Sequence, residues 1–458
     1  MNTLIAIVGL GILVLLFEII NLRKLIVPIT VAGLLAVLGV TVADYDAPAA
    51  YYNNMIVVSN YSVTFSCLFI VLAIFLVTLS HNFYDTQADK ISDYVSLKIF
   101  LLAGSVAMVS FGNLAMFFLG LEILSVILYI LASSNRLSLR SNEAGMKYFL
   151  MGAFASGVLL FGICLIYGAM GTFDVEEISG LTASAELPDR WFFIGLLLMV
   201  TGMLFKVAAV PFHFWAPDVY EGSPALTTAL MSTLAKVTAM AALYKLVMDL
   251  NVPHSAVFST VIAVVSIASM TVGNIMALRQ INVKRMLAFS GISHAGFMLM
   301  TLLGNKDMMA GTLLYYAAAY ALAGIAAFTV LLYVCKNKNN EDIFNFNGLG
   351  KTNPLLAAML TASLLSMAGI PIFAGFFAKF MLFSETIEAG FLVVVIAAVI
   401  NSIISVGYYF KLILAMYTKD STEERPATST VFNLLAVVSI IVNLAIGIYP
   451  SAIMSLLA

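Results

Sequence analysis

Charge is scarce in this chain of 458 residues: Asp, Glu, Lys and Arg make up 10% of it, against 62% hydrophobic residues. Soluble domains hold roughly 45–50% apolar and about 25% charged residues, so a water-soluble globule is excluded. The three cysteines, Cys67, Cys164 and Cys335, lie too far apart for metal-ligand spacing or a disulfide framework. A formal net charge of −2 argues against nucleic acid, and no glycine-rich phosphate loop follows a strand. What is abundant is apolar length. Mean hydropathy is +1.04, and the apolar runs, about 18–25 residues long, suit helices crossing a hydrocarbon core about 30 Å thick. None alternates in the manner of a barrel strand.

The predicted fold class is therefore all-α integral membrane, one polytopic domain over 1–458 with about fourteen transmembrane helices. The expected windows are 3–22, 25–43, 62–81, 96–111, 113–133, 148–169, 191–212, 224–248, 256–278, 286–304, 309–335, 354–387, 391–415 and 430–456. The first run lacks a basic leader and is expected to remain as a span. Alternating the loops between the two sides gathers most Lys and Arg on one, among them Arg23, Lys24, Lys98, Arg136, Arg140, Lys147, Arg279, Lys284, Arg285 and Lys411. Basic loops stay cytoplasmic, so both termini are expected on the non-cytoplasmic side. Arg190, Lys245 and Lys306 fall opposite, and Lys206, Lys236 and Lys379 belong to neither side because they sit inside apolar spans.

The chain also echoes itself. "GMLFKVAAV" at 202–210 aligns with "GFFAKFMLF" at 375–383, superposing Gly202 on Gly375 and Lys206 on Lys379, and "YFLMGAFASG" at 148 resembles "YYAAAYALAG" at 315. Two five-helix repeats are expected, spans 4–8 within 96–250 and spans 9–13 within 256–417, flanked by a three-helix segment 1–95 and a last helix in 430–458. Five is odd, so the second copy must insert upside down relative to the first, as in many transporters.

A charge at a helix centre costs roughly 2.5–3.5 kcal/mol on insertion scales, so the four that occur are candidates for function. Glu122 in "FFLGLEILSVILY" and Lys206 in "GMLFKVAAVPFHFW" are expected to form an ion pair that a modest local change can open or close. Lys236 lies near the centre of span 8, too deep to snorkel, with Ser232 and Thr233 one turn back. His294 stands alone on an apolar helix, and its ordinary pKa near neutrality suits a relay as well as a core position. Lys379 follows Pro371 by about two turns. Pro211 and Pro371 are expected to break spans 7 and 12, because a broken helix at membrane depth is tolerated only where freed carbonyls meet protein or water. A packing kink would account for the prolines and leave the lysines unexplained.

Three stretches, "LFKVAAVPFHFWAPDVYEGSP", "KRMLAFSGISHAGFML" and "MAGIPIFAGFFAKF", in that order, resemble the antiporter-like membrane subunits of respiratory complex I, and the resemblance covers essentially the whole chain. One departure is Ile372, where the family usually has a second proline. The resemblance implies a bacterial inner-membrane subunit that couples electron transfer from NADH to quinone to proton pumping. Its relay would run through Glu122 and Lys206 as an ion pair, Lys236 as the central lysine, His294 as a connecting residue and Lys379 as the terminal lysine. It implies no metal and no cofactor in this chain; NADH, FMN, the iron–sulfur clusters and quinone belong to other subunits. The implied partners are the adjacent antiporter-like subunit, the small membrane subunits toward the quinone site, lipid and protons. Rival readings are a subunit of a multisubunit cation/proton antiporter and a membrane scaffold that pumps nothing.

Overall fold

The computed structural model describes residues 1–83, 90–184, 190–250, 256–304, 306–336, 338, 340–420 and 429–457. Three helices come first, α1 (Asn2–Ile19), α2 (Ile26–Ala43) and α3 (Asn60–Phe83), with a small ribbon, β1 (Ala49–Tyr51) and β2 (Ile56–Val58), between the second and third. The ribbon pairs Ala50 with Val57, and an isolated bridge ties Ile56 to Phe111. The all-α reading omits this ribbon, which is too short to leave a period in the sequence. Next come α4 (Ile91–Val109), α5 (Leu114–Ala132), α6 (Leu139–Met170), α7 (Val175–Ser184), α8 (Arg190–Val207), α9 (Trp215–Gly222), α10 (Ala225–Leu230) and α11 (Lys236–Asp249). The remainder is α12 (Ala256–Leu278), α13 (Val283–Leu299), α14 (Lys306–Val334), α15 (Leu349–Thr352), α16 (Pro354–Ala368), α17 (Ala374–Glu388), α18 (Leu392–Thr418), α19 (Thr430–Ile448) and α20 (Ser451–Met454).

Among the described residues twelve helices are long and apolar enough to cross a membrane. The two remaining windows hold α13, of 17 residues, and the interrupted pair α16 and α17, of 15 each. The span formed by α10 and α11 and the span formed by α14 are buried throughout, whereas α6, α12, α18 and α19 turn most of their surface outward. With lipid as apolar as the side chains, such helices associate through close approach rather than through a hydrophobic drive. Gly162 of α6 and Gly195 of α8 meet this way: a methyl added to either would come within 2.7 Å of the other's carbonyl oxygen.

Two helix interruptions lie where the prolines predict them, each starting slightly earlier. A proline ring clashes with the carbonyl four residues back, and α8 stops at Val207 before Pro211 while α16 stops at Ala368 before Pro371. Ala208 and Ile372 then take left-handed φ angles of 59° and 87°, conformations that β-branched Ile372 in particular adopts only under constraint. A third irregularity has no sequence signal. Residues Met231–Ala235 form one widened π turn directly before Lys236.

Two asparagines recur at matching places. Asn113 caps α5 through Ala115 N–H and bridges Asp174, and Asn282 caps α13 through Arg285 N–H and bridges Asp342.

Candidate functional site: a row of buried amines

The row begins at α5 and α8. Lys206 Nζ donates to Ser125 Oγ at 2.7 Å and to Tyr129 OH at 3.2 Å, and lies 5.6 Å from the Tyr129 ring centre. Glu122 sits one turn before Ser125, with Oε1 buried and no hydrogen-bond partner. No ion pair within 4.0 Å joins Glu122 to Lys206 here; the expected contact is open, and Ser125 holds the amine instead. The carbonyls freed where α8 breaks find donors, Phe205 O accepting from Trp215 Nε1 at 3.0 Å and Leu204 O from Ala209 N at 2.9 Å.

Lys236 enters from the π turn, where one extra residue per turn changes the direction of the side chain that follows. It is buried, and Nζ donates to Gly291 O of α13 at 2.7 Å. Gly291 has no side chain to stand in the way: a methyl there would lie 2.9 Å from the amine. Ser232 on the same π turn is hydrogen bonded to Tyr320 OH of α14 at 3.2 Å, and the Tyr320 ring lies 4.7 Å from the imidazole of His294.

His294 has a phenol on each ring nitrogen. Nδ1 is 2.8 Å from Tyr316 OH and Nε2 is 3.3 Å from Tyr409 OH. Beyond it, His294, Tyr316, Tyr320, Ser366 and Lys379 line a cavity of about 10 Å³, room for about one water with several polar partners. Lys379 Nζ donates to Ala368 O at 2.9 Å and lies 4.8 Å from the Phe297 ring centre. That carbonyl ends α16, so the cation sits at the negative end of a helix dipole. The second break therefore supplies an acceptor for the lysine that follows it.

The geometry brings Lys236, His294 and Lys379 around one set of tyrosines, and Lys206 beside Glu122. Missed in the sequence were Ser125, Tyr129, Gly291, Tyr316, Tyr320 and Tyr409. Tyr316 and Tyr320 stand four apart in "YYAAAYALAG" and so share a helix face, the one signal available. Three further lysines need correction. Lys98 and Lys284, expected in basic loops, and Lys245 are all buried. Lys98 Nζ donates to Ser80 Oγ at 2.6 Å, Lys284 to Ser223 O at 2.9 Å and to Glu341, and Lys245 to Phe111 O at 2.8 Å and to Asp249. Helix α3 covers Lys98 through Ser80, and residues between helices, Phe111 over Lys245 and Ser223 with Glu341 over Lys284, cover the other two, which a hydropathy window does not register. Among the described residues no group of three or more His, Cys, Asp or Glu side chains could hold a metal ion.

A family model described as NADH:quinone oxidoreductase/Mrp antiporter, transmembrane, matches residues 112–405. The NADH-quinone oxidoreductase subunit N of Flavobacterium johnsoniae is 68% identical over 464 residues, covering 100% of both chains. Subunit N of Flavobacterium psychrophilum is 62% identical, also covering 100% of both. A chain in the structure of respiratory complex I from Thermus thermophilus with bound aureothin superposes with a TM-score of 0.85 at 29% identity, covering 99% of this chain and 98% of that one. With the family model matching well over half of its length and relatives this similar end to end, the chain belongs to the NADH:quinone oxidoreductase/Mrp antiporter family of membrane subunits.

Proposed function

We propose that this chain works as subunit N of a bacterial NADH-quinone oxidoreductase, moving protons across the inner membrane while electrons pass from NADH to quinone in other subunits. Glu122, Lys206, Lys236, His294 and Lys379 carry the protons. The single observation behind this relay is the set of partners around three of the lysines. Lys206 is held by two hydroxyls, Lys236 by a backbone carbonyl and Lys379 by another, and among the described residues no carboxylate lies within 4.0 Å of any of the three. A buried amine locked to an acid keeps its charge, whereas one held by neutral oxygens can take up and release a proton.

The coupling is electrostatic. A redox-driven change near the quinone site reaches this subunit through neighbouring membrane subunits and closes or opens Glu122 on Lys206, which changes the proton affinity of Lys236. Moving one elementary charge across 100 mV costs about 2.3 kcal/mol. Breaking a buried pair by removing one partner costs about 3–5 kcal/mol, so one pair is large enough to drive the step.

The five-helix repeats belong to the same reading. Supporting them is the matched pair of asparagine caps with their bridges, Asn113 to Asp174 and Asn282 to Asp342, at nearly the spacing that relates Lys206 to Lys379. Both termini lie on the non-cytoplasmic side. In support, Arg140, Lys147 and Arg285, from loops assigned to the cytoplasm, line one shared surface pocket. NADH, FMN, the iron–sulfur clusters and quinone are held elsewhere in the complex, and the partners of this chain are its membrane-arm neighbours.

The test is Lys236→Ala in the assembled complex, reconstituted into vesicles. The expected result is continued NADH oxidation with fewer protons moved per electron; a native ratio overturns the relay. A sodium requirement for transport would instead favour the antiporter reading.

A further inference from the structure

One buried phenol stands between the imidazole of the relay and a serine. Tyr409 of α18 is fully buried, and its hydroxyl is shared between Ser290 Oγ at 2.5 Å and His294 Nε2 at 3.3 Å. Its neighbour Tyr408 is anchored, donating to Asn274 Oδ1 at 3.0 Å while Asn274 in turn donates to Asn401. The two phenol rings lie against each other, centres 4.4 Å apart. An amide pair does not carry protons, so this cluster holds α18 in place and leaves the hydroxyls of Tyr409 and Ser290 free to turn.

A neutral imidazole carries one N–H and one acceptor nitrogen, and which is which depends on its neighbours. If Ser290 donates to the Tyr409 oxygen, Tyr409 donates to Nε2, and the ring proton of neutral His294 sits on Nδ1. There it faces Tyr316 and the cavity shared with Lys379. When the ring takes a second proton, that proton is on Nε2 and must be donated to the Tyr409 oxygen. The Tyr409 O–H then turns to Ser290. No ring flip is needed in either state.

We infer that Tyr409, backed by Ser290, is a positioning residue of the relay that sets the tautomer of His294, keeping the Nδ1 proton turned toward Tyr316 and the Lys379 cavity and placing the proton the ring takes up on Nε2. This rests on the proton-relay reading. The titratable groups facing His294 are Tyr316 and Tyr320 of α14, Tyr409 of α18, Lys379 of α17 and Lys236 of α11. Removing the Tyr409 hydroxyl alone leaves the other four in place.

The experiment compares Tyr409→Phe, Ser290→Ala, the double variant and Lys236→Ala in the whole complex reconstituted into vesicles, reading NADH oxidation and proton movement across the neutral pH range. Tyr409→Phe keeps the ring and its packing. Its pH of half-maximal pumping is expected to fall by about one unit, because the hydroxyl holds the charged ring more strongly than the neutral one. Ser290→Ala acts through Tyr409, so its shift has the same sign and is smaller, and the double variant shifts no further than Tyr409→Phe. An unchanged pH profile in Tyr409→Phe, or additive shifts in the double variant, overturns the inference. If Lys236→Ala lowers pumping in the same series, the relay reading survives that failure; if it pumps at the native ratio, the relay itself fails. Should Tyr409→Phe not assemble, the Ser290→Ala profile decides alone, a native profile counting against Tyr409.

Discussion

Lys206 donates to Ser125 across 2.7 Å, one helical turn past Glu122, and so the acid it would be expected to neutralise keeps a buried oxygen with no hydrogen-bond partner. Neutral and charged acceptors compete for one amine. Two hydroxyls, Ser125 and Tyr129, hold it in this conformation, and the charged Glu122 waits a turn away.

Ser125→Ala removes the nearer of the two neutral competitors. A hydrogen bond to a charged group contributes about 1.5–3 kcal/mol, so the amine is expected to swing to Glu122 and close the pair, slowing pumping by about tenfold or more. A structure of the variant complex and its pumping rate check this together. An amine that stays on Tyr129, with native pumping, contradicts it.

Gly291→Ala separates stability from function. The added methyl would meet the far end of the flexible Lys236 side chain at 2.9 Å and Tyr320 OH at 3.2 Å; the amine can move aside by giving up Gly291 O, while alanine favours the helix by about 0.5–1 kcal/mol. The complex is expected to assemble with thermal stability native or slightly lowered, the helix gain offsetting part of the lost Lys236 hydrogen bond, while proton pumping falls. Gly157→Ala, where nothing lies within 4 Å, is the control with the same backbone gain and unchanged pumping.

The surface cluster around α9 gives a pH-dependent prediction. Arg285 donates to Asp218 at 2.7 Å and to Glu221 at 2.9 Å, and Lys147 reaches Asp218 at 3.2 Å. Burial alone would push the Asp218 carboxyl up, but the hydrogen bonds from Arg285 and Lys147 outweigh it and hold the group below the usual carboxylate range. Its contribution to stability is therefore complete above the ordinary aspartate value of about 3.9 and is lost as pH falls through the lowered one. These side chains are partly exposed, so each pair contributes about 0–1 kcal/mol. Asp218→Asn is expected to quicken amide hydrogen exchange in α9 modestly at neutral pH, with the difference from the native chain shrinking in strong acid and in high salt.

The lysines at the heart of the site were legible because a cation inside a long apolar run has only one interpretation at membrane depth, and the breaks beside two of them because proline cannot continue a helix. Lys98 and Lys284 were misread for the complementary reason. Each stands near the end of an apolar run, where a hydropathy window cannot tell a solvated loop from a helix end that other elements cover. The π turn before Lys236 was invisible, since "MSTLA" has no residue that a regular α-helix would refuse.

Composition and spacing by themselves determined that this chain crosses the membrane many times and where its costly charges lie, because the bilayer penalises each residue one at a time and so writes its constraint into the linear order. Which oxygen holds each amine, and that His294 has a tyrosine from a different helix on each nitrogen, was decided only by tertiary packing. Those contacts join residues 11 to 115 positions apart, set by the rotation and depth of one helix against another, and local sequence carries no record of either.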